Sequence, residues 1–169
     1  YTGGSVDIYD LSTNVCGTPY YPKFSISSND NDTTFGESVS FCSYSGSLYL
    51  AVGSSTAFDG FGAVFIYKSQ NYNLDWILIQ TIYGPSNNSF FGGKVKFDGS
   101  GLGTLVIGNS NTQNSQENVY IYEKDGQNDA WIKSFELSPD TSIPQVLEYL
   151  DNIPPVISSQ NPCGGFGNS

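Results

Sequence analysis

The chain has 169 residues, of which 38% are hydrophobic, 15% aromatic and only 13% charged, with 19 Gly and 8 Pro; this describes about one compact domain of strands and tight turns and disfavours a helical bundle. Six basic residues, all Lys, stand against sixteen acidic ones for a formal charge of -10, so the basic footprint that phosphate backbones and anionic lipid surfaces require is missing and nucleic acid is not expected as a partner. His is absent, which removes the commonest general base and metal ligand together with the Ser-His-Asp and Cys-His forms of catalysis, so no enzymatic activity is expected.

In chain order, the first strand-like segment is Gly4-Ser5-Val6-Asp7-Ile8-Tyr9, and it returns as Gly62-Ala63-Val64-Phe65-Ile66-Tyr67 and Glu117-Asn118-Val119-Tyr120-Ile121-Tyr122, at offsets of 58 and 55 residues. Val64 and Ile66 fall on one side of such a strand and Phe65 and Tyr67 on the other, the period-2 pattern of a β-strand. A second element, Phe35-Gly36-Glu37-Ser38-Val39-Ser40-Phe41, recurs 56 residues on as Phe91-Gly92-Gly93-Lys94-Val95-Lys96-Phe97. Leu50-Ala51-Val52-Gly53 is matched by Leu105-Val106-Ile107-Gly108, and Trp76 by Trp131. Asp59-Gly60, Asp98-Gly99 and Asp125-Gly126 mark turns between these segments.

Each unit therefore reads as four short antiparallel strands in about 55 residues. Such a sheet cannot bury both faces alone and must stack on copies of itself, and radial stacking of four-stranded sheets makes a β-propeller. The expected division is a half blade with the third and fourth strands at 1–34, full blades at 35–90 and 91–140, an inserted loop or short helix at 141–165, and the start of a further blade at 166–169, where Phe166-Gly167-Asn168-Ser169 repeats the opening motif. Within the insertion, Val146, Leu147, Leu150 and Ile153 have helical spacing ahead of Pro154-Pro155. About three blade-equivalents fall short of the roughly four to eight blades of a closed ring, so the chain is expected to be a segment of a larger polypeptide, for which the absence of Met and the odd number of Cys also speak.

The motif order resembles the FG-GAP repeat, the blade of integrin α-subunit propellers. The resemblance rests on Phe35-Gly36-x-Ser38-Val39, on Ala51-Val52-Gly53-Ser54 where the family has a Val-Gly-Ala-Pro-like turn, and on Gly62-Ala63-Val64-Phe65-Ile66-Tyr67, with Phe35, Gly36, Phe91, Gly92, Phe166 and Gly167 defining the repeat. It implies a non-catalytic propeller module of a secreted or surface-exposed protein, a structural or adhesive block of an extracellular assembly whose partners are other segments of the same polypeptide or copies of itself. The alternatives are a propeller that recognises carbohydrate or protein through its loops, and an accessory propeller of a larger enzyme.

Blades of this kind often cage Ca²⁺ between their first two strands, which needs clustered oxygens. Here Cys42-Ser43-Tyr44-Ser45-Gly46-Ser47 holds no carboxylate and Asp98-Gly99-Ser100-Gly101-Leu102-Gly103 holds one, so neither calcium nor another cofactor is expected; the run Asn29-Asp30-Asn31-Asp32 reads as a solvated loop. Asn31-Asp32-Thr33 and Asn87-Asn88-Ser89 fit the N-glycosylation pattern at equivalent positions, four residues before a Phe-Gly pair. Cys16, Cys42 and Cys163 are disulfide candidates, with Cys16 to Cys163 and Cys42 to Cys163 both open and unbridged thiols the alternative. No apolar run reaches the eighteen or more residues of a membrane-spanning helix, so no membrane insertion is expected.

Overall fold

The structure, a computed structural model, describes residues 3–9, 21–28, 32–70, 75–109 and 118–138. Among the described residues the chain forms ten strands: β1 (Ser5–Ile8), β2 (Phe24–Ser27), β3 (Ser38–Tyr44), β4 (Ser47–Ser54), β5 (Ala63–Gln70), β6 (Ile77–Tyr83), β7 (Phe91–Phe97), β8 (Thr104–Asn109), β9 (Val119–Lys124) and β10 (Trp131–Leu137). They make a pair, β1-β2, and two four-stranded sheets of consecutive antiparallel strands, β3-β4-β5-β6 and β7-β8-β9-β10. This is the all-β, four-stranded antiparallel blade architecture that the repeat predicts. Residues 141–165, together with Phe166 and Gly167, lie outside the described residues.

Local chemistry explains the strands. The β3–β4 hairpin turns through Ser45 and Gly46, both at positive φ, in the two-residue geometry whose twist suits flanking strands, and Tyr44 and Ser47 close it as a pair. Between β4 and β5, Phe58 and Asp59 take left-handed backbone angles in the Ala57–Gly60 turn, so the chain reverses there without a regular helix.

The alternation read from sequence sorts the side chains between two cores. Leu48, Leu50 and Val52 of β4, with Phe65 and Tyr67 of β5, face the β1-β2 pair and pack with Val6, Ile8, Phe24, Ile26, Phe35 and Trp76. Tyr49, Ala51, Val64 and Ile66 leave the opposite face and pack against Phe91, Val95, Phe97, Leu105, Ile107, Tyr120, Tyr122 and Trp131 of the next sheet. The middle strands β4 and β5 are thus covered on both sides, and each large side chain buried there contributes on the order of 2–3 kcal/mol.

Candidate functional site

For stacked repeats the working surface is the junction between neighbouring sheets, and its geometry follows from a pair of glycines. A Cβ placed on Gly62 would lie 2.2 Å from the Phe91 carbonyl oxygen, and one on Gly92 would lie 2.4 Å from the Ala63 carbonyl oxygen. Both glycines have positive φ, at 75° and 87°. The same contact joins β1 to the chain entering β3, where a Cβ on Gly4 would lie 2.0 Å from the Phe35 carbonyl and one on Gly36 3.0 Å from Val6 Cγ2. A side chain at Gly4, Gly62 or Gly92 forces the sheets apart, and one at Gly36 is strained by its positive φ, so the Phe-Gly and Gly-x-Val landmarks are two sides of one backbone contact. Phe35 and Phe91 are buried beside it.

Side chains lock the register of the second junction. The Ser38 hydroxyl donates to the Gly92 carbonyl at 2.7 Å, and the Phe97 N–H donates to Ser40 Oγ at 2.9 Å. Gln80 clasps one residue of the neighbouring sheet with both halves of its amide, accepting from the Trp131 N–H at 2.8 Å and donating to the Trp131 carbonyl at 2.9 Å. Trp76 and Trp131 are both buried, which places them in the packing role rather than on a sugar-stacking surface.

An ionic cluster spans the same junction. Asp129, at positive φ in the β9–β10 turn, accepts from Lys68 of β5 at 2.6 Å, from Lys124 of β9, and from the Tyr49 hydroxyl of β4 at 2.9 Å. The Lys124 ammonium also sits 4.1 Å from the Trp131 ring centroid and 4.9 Å from that of Tyr49. Partial burial disfavours the Asp129 charge, but hydrogen bonds from Lys124, Lys68 and Tyr49 win and bring its carboxyl down to about 2. The two lysines respond differently to their shared partner. Burial lowers Lys124, whose side chain is only 3% exposed, and Asp129 offsets this in part; Lys68, nearer solvent, is raised chiefly by its hydrogen bond to Asp129. Burial first, then the hydrogen bond to Asp129, raises the Tyr49 hydroxyl. Sequence reading missed this cluster because its members are up to 80 residues apart; the signal available was a Lys close behind each apolar run, Lys68 directly after Tyr67 and Lys124 two residues after Tyr122.

At the end of the β3–β6 sheet, a hydroxyl network ties the chain entering β3 to the end of β4. Asp32 accepts from the Thr34 N–H at 3.1 Å, the Thr34 hydroxyl at 2.9 Å and the Ser54 hydroxyl, while Ser55 donates to Glu37. The expectation of a solvated loop is therefore corrected for Asp32, which is half-buried and engaged; Asn29, Asp30 and Asn31 lie outside the described residues. The Asp98 loop closes on itself, with the Thr104 N–H donating to Asp98 at 3.2 Å and the Ser100 hydroxyl donating to the same carboxylate. Among the described residues, no three His, Cys, Asp or Glu side chains gather as a metal-holding group. A depression of about 210 Å³ lined by Glu123, Lys124, Asp125, Ile132, Lys133 and Ser134 is below the roughly 300–1,000 Å³ of ligand pockets.

Asn87 is exposed in the loop before β7, whereas Ser89 of its triplet is buried and donates to the Phe61 carbonyl at 2.6 Å, so that hydroxyl also has a structural use. Cys42 is buried in the core between the two four-stranded sheets; Cys16 and Cys163 lie outside the described residues. No protein-family model and no curated protein matches the chain.

Two outcomes test this junction. Gly62→Ala should destabilise by roughly 2–4 kcal/mol from backbone strain plus overpacking, while Gly126→Ala, with open space around its Cβ, should stay within about 0.5 kcal/mol; urea unfolding compares them. Asp129→Asn leaves Lys124 buried without its counter-charge and should cost roughly 1–2 kcal/mol, less than a fully buried pair because Asp129 is 42% exposed. Since the folded Asp129 carboxyl lies below the roughly 3.9 of a free Asp, its contribution is complete above about pH 4 and is lost as pH falls toward 2. In urea melts across that range, the wild type should lose more stability than Asp129→Asn does.

Proposed function

We propose that the chain is a FG-GAP-type propeller segment of a secreted or surface-exposed protein, acting without catalysis as a structural or adhesive block in an extracellular assembly. The observation that carries this reading is the repeated backbone junction, Phe35-Gly36 on Gly4 and Phe91-Gly92 on Gly62, with the four-stranded sheets it joins. A surface that uses its titratable groups to hold sheets together, as Asp129, Lys68 and Lys124 do, suits a building block. Exposed Asn87 beside an acidic, Arg-free composition supports the extracellular placement.

A second reading, recognition of a protein or carbohydrate ligand, is favoured by one feature. Phe58 is exposed at left-handed angles in the β4–β5 connection and meets exposed Tyr83 edge-on, with ring centroids 4.8 Å apart. Aromatic side chains held out on strained backbone are characteristic of binding surfaces.

Expression through a eukaryotic secretory route separates the two. The structural reading expects concentration-dependent self-association in sedimentation velocity and a mass decrease on enzymatic deglycosylation that Asn87→Gln reduces. A protein that remains monomeric and loses glycan-array or pull-down binding in Phe58→Ser and Tyr83→Ser would instead support ligand recognition.

A further inference from the structure

Strands β3 and β7 hold the same place in consecutive sheets and carry the same apolar pair, yet their surroundings differ. On β7, Val95 is 8% and Phe97 2% exposed; on β3, Val39 is 52% and Phe41 44% exposed. The residue types are identical, so the difference lies in what precedes each strand. Val95 and Phe97 rest on the first two strands of the preceding sheet, against Cys42, Tyr49 and Ala51, and the Phe97 N–H reaches Ser40. Ahead of β3, the β1-β2 pair supplies only the counterparts of β5 and β6.

The backbone shows the same gap. β5 is paired on both edges, by β4 and β6, whereas its counterpart β1 pairs only with β2 among the described residues. Among the described residues, an open strand edge at Ser5–Ile8 therefore runs beside an exposed apolar stripe, whose Phe41 ring lies 5.7 Å from the buried Trp76 ring. The far face of the pair carries exposed Ser5, Asp7, Ser25 and Ser27, with the Ser25 hydroxyl donating to Asp7 at 2.6 Å; Asp7 stands where β5 carries Phe65, while exposed Tyr9, just past the strand, keeps the place of Tyr67. A polar face does not bury another sheet, but an open edge over an apolar floor takes strands.

We propose that the β1 edge and the Val39–Phe41 stripe form an acceptor slot for a Phe-Gly-headed β-hairpin of the same repeat type. Its second strand hydrogen-bonds to β1 as β4 does to β5, and its apolar face covers Val39 and Phe41 as β3 and β4 cover Val95 and Phe97. The docked hairpin completes a four-stranded sheet. The inference stands on the repeat geometry alone and holds whichever role the module plays.

A fusion tests it. A second copy of residues 35–61 is placed directly before Gly4, replacing residues 1–3, because Phe61 runs into Gly62 and Gly62 corresponds to Gly4. The fused chain should gain about 5 °C or more in Tm, and a Cys substituted for Phe41 should react with a thiol reagent at least about tenfold more slowly than in the parent, since local opening must precede its reaction. Phe41→Ser gives up the contact with Trp76 and should lower the parent Tm somewhat, but it should lower the fusion's Tm further and remove most of the gain. A fusion that fails to fold, gains no stability, keeps its gain in Phe41→Ser, or is matched by an unrelated prefix of equal length overturns the proposal.

Discussion

The rest of the structure depends on one close approach, the carbonyl of Phe91 seated against Cα of Gly62 while Gly92 lies over Ala63. Hydrophobic burial draws the sheets together but is non-directional; backbone against backbone at a side-chain-free position fixes how near they come and in which register. The contact recurs at Phe35 and Gly4, so it is a property of the repeat. Gly62 and Gly92 are required twice over, for space and for left-handed φ, and Gly4 for space alone, which is why the most recognisable residues of each unit are those that touch the neighbouring unit.

Polar side chains then make one junction differ from another. On β3, Ser38 donates a hydrogen bond to the β7 backbone and Ser40 accepts one from it, but the corresponding positions of β7 are Lys94 and Lys96, both exposed. Glu117 stands in sequence where Gly4 and Gly62 stand. Lys charges along a strand also discourage unwanted pairing. The Asp129 cluster carries a similar specificity: removing the Asp129 charge leaves Lys68 and Lys124 facing each other uncompensated in a partly dry site.

Much of the fold was legible because strand periodicity and unit periodicity are both written in local chemistry. Alternation assigned Val64 and Ile66 to one side and Phe65 and Tyr67 to the other, and the two cores divide them that way. The Asp59-Gly60 turn followed from residues that tolerate left-handed backbone, whereas near Asp98-Gly99 and Asp125-Gly126 the positive φ falls on Gly101, Gly103 and Asp129. The ionic cluster was not legible, since Tyr49, Lys68, Lys124 and Asp129 meet only after sheets packed in three dimensions bring distant segments together. Asp32 looked like part of a solvated acidic run, because its donors Thr34 and Ser54 converge only when the chain entering β3 reaches the end of β4.

The sequence by itself determined the strand pattern, the order of strands within each sheet and the identity of the glycines, since these depend on side-chain period, turn preference and the absence of a Cβ. The tertiary structure alone decided which equivalent residues do equivalent work. Val39 and Val95, or Phe41 and Phe97, are the same residues in the same motif, yet one pair is bare and the other buried. Burial depends on what occupies the neighbouring space, and that is set by strand pairing across the repeat rather than by the repeat itself.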